Sequence, residues 1–133
     1  MLVLCLWLVG CGGPESEIRA TLSEGERAVF DAGQRLSTPC WSCHDLYGEQ
    51  NKVGPYLAGL YGRKAAATHY AGYSAAMRAS GVVWDEGSLR AFLAGPNSFI
   101  PGTTMAASGP RGAAEINALV FYLKHVTSFG RGR

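Results

Sequence analysis

A chain of 133 residues with 12 Lys and Arg against 10 Asp and Glu carries a formal charge of +2. So even a balance excludes the strongly basic surface on which nucleic-acid binding rests, and the length allows one domain. Eighteen glycines in so short a chain leave a modest apolar core of its own, which suits a fold organised around a bound cofactor.

Residues 1–10 are apolar throughout and too short to cross a bilayer, which needs about 20 residues. They read as the hydrophobic part of an export signal. Leu8-Val9-Gly10-Cys11 has the pattern of a bacterial lipobox, in which Cys11 becomes the acylated first residue after cleavage. No Lys or Arg precedes Arg19, so either the start lies upstream of Met1 or the signal is unusually short. Gly12, Gly13, Pro14, Glu15, Ser16 and Glu17 then read as a flexible tether over residues 11–21, on which the domain would swing. The expected location is the extracytoplasmic (periplasmic) side of a membrane, anchored by lipid on Cys11. A soluble periplasmic protein is the alternative.

The domain proper is expected over residues 22–128. Leu22 to Leu36 reads as a helix, because Ser23 followed by Glu26 makes a capping box and Leu22, Val29, Ala32 and Leu36 can share a face. Pro39 stops that helix. Cys40-Trp41-Ser42-Cys43-His44 follows and reads as a covalent attachment site for a c-type haem. Two thiols three apart can each add across a vinyl group of one porphyrin, and the adjacent imidazole is then placed to ligate the iron. A redox C-x-x-C would want a βαβ context, and none surrounds it. A zinc site would want a second ligand pair at short spacing, whereas His69 and His125 stand alone. With Cys5 in the discarded segment, Cys11 on lipid, and Cys40 and Cys43 on haem, no thiol is left for a disulfide.

Residues 48–62, rich in Gly and Pro, read as loop. A short helix is expected at Tyr73–Ala79 and another at Glu86–Ala94, closed by Gly95-Pro96. Ile100 to Met105 is irregular. A last helix is expected at Ala113–Val126, with Ile116, Leu119, Val120 and Leu123 at i, i+3, i+4 and i+7, before a tail at 129–133. No segment alternates in the manner of a strand, so the fold class is all-α.

Over residues 25–126 the chain resembles a class I cytochrome c of the mitochondrial-like branch. The resemblance is carried by Cys40–His44, by Gly54-Pro55-Tyr56-Leu57 with Gly59-Leu60-Tyr61-Gly62-Arg63, and by Tyr73-Ser74, Trp84, Leu89, Phe92-Leu93 and Pro96. Pro101-Gly102-Thr103-Thr104-Met105 and Phe121-Tyr122-Leu123-Lys124 complete it. It implies a small helical bundle around one haem, with crossing N- and C-terminal helices, and one-electron transfer rather than enzyme catalysis. It further implies His44 as proximal ligand, its second ring nitrogen held by the Pro55 carbonyl, and Met105 as distal ligand. Trp84, Tyr73 and Arg63 would offset the charge of the haem propionates. Met77, His69 and His125 are the rival ligands.

Departures from that pattern bear on partners. Thr104, Asn97 and Ser98 stand where members that dock acidic partners carry lysines, and the chain has only Lys52, Lys64 and Lys124. Strong steering toward an oxidase is therefore not expected. Phe92 stands in place of a Tyr, and Leu36 in place of the aromatic of the first helix. The expected partners are redox proteins (an oxidase, reductase or dehydrogenase) and the membrane, with no nucleic acid. A haem-based gas sensor and a fixed electron-entry subunit of a membrane complex are the two other function classes the residues allow.

Overall fold

Helix caps and proline stops divide the chain into six short helices in the computed structural model, which describes residues 12–129. The export segment, Cys11 and residues 130–133 lie outside the described residues. The helices are α1 (Pro14–Thr21), α2 (Glu24–Leu36), α3 (Ala75–Ala79), α4 (Glu86–Ala94), α5 (Pro96–Phe99) and α6 (Ala113–Ser128), with a 3-10 turn at Thr38–Ser42. Among the described residues no strand forms; one isolated antiparallel bridge joins Lys64 to Val83. The all-α expectation stands.

α2 and α6 cross and supply the centre of the core. α2 begins at the expected capping box: Ser23 Oγ accepts from the Glu26 amide, and Glu26 Oε2 accepts from the Ser23 amide at 2.9 Å. Its inward face differs from the one expected. Val29 is 40% exposed, while Phe30, Gly33 and Ser37 are buried. The i, i+3, i+7 stripe that meets α6 is Phe30–Gly33–Ser37, and Val29 lies about 100° off it. Gly33 permits the close crossing: a Cβ there would lie 2.5 Å from Tyr122 Cβ and 2.9 Å from the Ala118 carbonyl carbon. Phe30 packs on Tyr122 with ring centroids 5.0 Å apart, so Phe30 supplies the aromatic of this helix and Leu36 sits half-buried at its end. On α6 the expected Ile116, Leu119, Val120 and Leu123 are all buried.

The tether expectation needs correction. Residues 14–21 form α1, with Pro14 at the first helical position, where its missing N–H costs nothing, and Glu15 and Glu17 in the first turn. Ile18 and Leu22, four apart, are each 6% exposed and join the core. Two apolar residues on one side of a polar segment suffice because α2 and α6 offer a surface to receive them.

α4 matches expectation, capped by Asp85 Oδ1 accepting from the Ser88 amide at 2.8 Å and by Ser88 Oγ accepting from the Asp85 amide at 2.8 Å. α3 starts at Ala75, two residues later than expected, because Ser74 acts as its cap and accepts from the Met77 amide at 3.0 Å. α5 is a single unexpected turn begun by Pro96.

Candidate functional site

The Cys40–His44 turn leaves α2 almost at once. The Cys40 amide donates to Ser37 O at 2.8 Å, and the Cys43 and His44 amides donate to Cys40 O at 3.1 and 2.9 Å. The tight turn holds both cysteines, free and half-buried, beside the imidazole. Burial raises the Cys40 thiol above its ordinary range, so it stays protonated.

His44 is held from behind. Its Nδ1–H donates to the Pro55 carbonyl at 2.6 Å, which fixes the tautomer and leaves the Nε2 lone pair available to a metal. Gly54 is the cradle for the ring: a Cβ there would lie 2.9 Å from Nδ1 and 3.1 Å from Nε2. The Gly54 amide donates to Cys43 O at 2.8 Å, and Lys52 Nζ donates to Trp41 O. Residues 52–55 thus strap the Cys40–His44 turn. Burial lowers the His44 pKa and the Lys52 charge adds to this, while the Pro55 contact pulls the other way; the net keeps a neutral imidazole, the form that ligates.

Met105 lies half-buried against the core, at the end of a pinned sequence of turns. Gly102 has φ +91°, and its amide donates to Asn97 Oδ1 at 2.9 Å. The Thr103 amide donates to Ile100 O at 3.0 Å, and Thr103 Oγ1 accepts from the Met105 amide at 3.4 Å. Thr104 Oγ1 donates to Gly72 O at 3.5 Å. The loop is therefore set by α5 on one side and by the segment before α3 on the other.

The remaining predicted residues fall into two groups. Trp84 is 6% exposed, packs on Phe92 with centroids 5.1 Å apart, and is tied by its backbone to Arg63 (Trp84 N to Arg63 O, 2.9 Å). Arg63 donates to Ala58 O at 2.7 Å and Tyr56 O at 3.0 Å, and so braces the loop that carries Pro55 and Leu57. Tyr73 is separate from that pair: its hydroxyl meets Thr68 Oγ1 at 2.7 Å. A cavity of about 340 Å³ opens between Tyr56, Arg63, Thr68 and Thr127, on the Arg63 side, and is lined by neither His44 nor Met105.

The rival ligands are placed differently. Met77 is buried in the apolar core, and His69 is exposed. His125 meets Phe121 O at 2.8 Å through Nδ1, within its own helix. Sequence reading missed Asn97 as the brace of the Met105 loop, because nothing in the sequence brings a residue of α5 to Gly102. Lys52 was visible only as a charge, and its strap role depends on the reversal of the chain at Val53-Gly54. The donor set fits a covalent haem: two free thiols on one turn, a neutral imidazole with one nitrogen open, a thioether, and a cradle that any side chain would fill.

Comparison with known proteins agrees. Residues 30–127 match the family model for cytochrome c. The chain is 38% identical over 101 residues to cytochrome c-550 of Bradyrhizobium diazoefficiens, covering 75% of this chain and 74% of that protein. It is 41% identical over 85 residues to cytochrome c2 iso-2 of Magnetospirillum fulvum, covering 64% and 88%. The solved structure of cytochrome cH from Methylobacterium extorquens superposes with a TM-score of 0.65 at 38% identity, covering 71% of this chain and 95% of that one. Motif, fold and relatives converge: the chain belongs to the cytochrome c family, as an electron carrier rather than an enzyme, with one covalently bound c-type haem.

Proposed function

We propose that Cys40 and Cys43 would form the thioethers and His44 and Met105 would ligate the iron, and that the carrier works on the extracytoplasmic side of a bacterial membrane, attached through lipid on Cys11. The observation that carries the ligation is the His44 ring, held by Pro55 O at 2.6 Å with its other nitrogen open. One-electron exchange between Fe(III) and Fe(II) is the chemistry the haem supplies. The rest falls to the chain. Pro55 and Gly54 fix the imidazole so that no ring rotation accompanies the redox change, and Arg63 fixes the segment that holds them. Met105 offers a neutral thioether that favours the reduced state. Phe92 and Trp84, each 6% exposed, exclude water from their part of the core. Trp84, Tyr73 and Arg63 offset the propionates. With His44 and Met105 both holding the iron, no coordination site would be left for a substrate, which favours a carrier over a gas sensor.

Among the described residues no helix is long and apolar enough to cross a membrane, so attachment rests on residues 1–11. Replacement of Met105 tests the ligation. Met105→Ala should keep covalent haem, lose the sulfur-to-iron absorption band, lower the potential and admit CO. An unchanged oxidised spectrum would move the ligand elsewhere, to Met77 first.

A further inference from the structure

The family match begins at residue 30, and α1 lies wholly before it. The helix is bound by several unlike contacts. Glu15 Oε2 accepts from Gln34 Nε2 of α2 at 2.6 Å, and its other oxygen accepts from the Tyr122 hydroxyl of α6. Arg19 pairs with Asp31 at 2.8 Å, and Arg27 Nε donates to Arg19 O at 3.0 Å. Ile18 and Leu22 are buried beneath.

The first turn of α1 sits on the side of the molecule that holds the attachment motif. The Tyr122 hydroxyl lies 3.5 Å from that of Tyr47, three residues after His44. The Tyr47 ring in turn packs on Trp41, between the two cysteines, with centroids 5.1 Å apart. Only Gly12 and Gly13 separate Cys11 from Pro14. Three Cα–Cα steps, from Cys11 to Pro14, reach at most about 11 Å, so a lipid on Cys11 would hold the docked helix close to the headgroups.

We propose that α1 is a rigid arm that orients the carrier on its membrane, with the Trp41–Tyr47 side, next to its first turn, toward the bilayer. The inference rests on the lipid reading of Cys11. It replaces a swinging domain with one presented at a fixed angle, so that partner encounter depends on lateral diffusion and height rather than on rotation about a tether. Asn97, Ser98 and Thr104, exposed around the Met105 loop, carry no charge of their own, which suits a partner met already aligned.

The test is linear dichroism of the haem absorption in oriented membranes bearing the native holoprotein. The expected result is a dichroic ratio distinct from that of an isotropic sample. Inserting a flexible linker of about six Gly and Ser residues between Gly13 and Pro14 should collapse it to the isotropic value, with haem content and membrane yield unchanged. An isotropic signal from native membrane-bound protein, or dichroism that survives the insertion, would overturn the arm while leaving the anchor intact. Native protein recovered lipid-free in the soluble fraction would instead overturn the Cys11 reading and the orientation with it. Hydrogen exchange on the purified holoprotein adds an independent check: protected amides at 18–21 support the arm, and exchange at unstructured rates there overturns it whatever the anchor.

Discussion

Gly54 shows how much a single residue decides. Its missing side chain is what lets the His44 ring lie against the backbone and reach Pro55 O, since any Cβ would lie within about 3 Å of both ring nitrogens. Gly54→Ala is expected to cost about 1–3 kcal/mol of holoprotein stability through overpacking, and to shift the potential by displacing the ligand. Denaturant unfolding together with a redox titration reads both; a silent variant would mean that the cradle gives way freely. Ala66 is the converse, a non-glycine residue at φ +57°. A left-handed conformation costs an L-residue about 1–2 kcal/mol, of which glycine's extra chain entropy returns about half, so Ala66→Gly should raise stability by about 0.5–1 kcal/mol. Asp85 gives the pH-dependent case. Its carboxylate accepts from the Ser88 amide at 2.8 Å, and this above all holds its pKa below the usual range. A depressed folded pKa contributes stability above the unfolded value and loses it as pH falls through the folded one. Asp85→Ala should therefore unfold at lower temperature than the native protein at pH 7, with the gap closing in acid below about pH 4. A gap that stayed constant with pH would assign the loss to something other than the charged cap.

At the level of elements, sequence reading did well where a local signal exists. The capping box at Ser23–Glu26 and the apolar spacing of α6 both identified their helices, and the Cys40–His44 pentapeptide pointed to the family that the relatives show. It failed where the reason lies in another element. The buried face of α2 is chosen by a close approach to α6 at Gly33, and a glycine carries no apolar signal of its own. α1 looked like a linker because Gly-Gly-Pro-Glu-Ser-Glu is polar and glycine-rich, and its docking depends on Gln34 of α2 and Tyr122 of α6, 19 and 107 residues from Glu15. Ile18→Ala tests that docking. Removal of a side chain buried to 6% exposure should cost about 2–4 kcal/mol if α1 is part of the cooperative fold, and close to nothing if it is a loose tether. Thermal unfolding of the holoprotein distinguishes the two.

The whole molecule is a helical shell whose charge is spread thinly. Of its three lysines, Lys52 is tied to Trp41 O and Lys124 lies 5.2 Å over the Tyr61 ring, and no lysine occurs between Lys64 and Lys124. With nine further arginines set against ten Asp and Glu the net charge is only +2, so weak steering is expected, and electron-transfer rates with redox partners should change by no more than about twofold across a tenfold range of ionic strength. A steep salt dependence would show a charged docking face. The proposed function turns on ligation of a covalent haem by His44 and Met105. A redox titration of the native holoprotein, followed through its visible spectrum, tests it most directly. One one-electron wave is expected and, in the oxidised state, a weak sulfur-to-iron band at the red edge that disappears in step with reduction. An oxidised spectrum without that band, at a potential as low as that of a haem held by two nitrogen ligands, would contradict it.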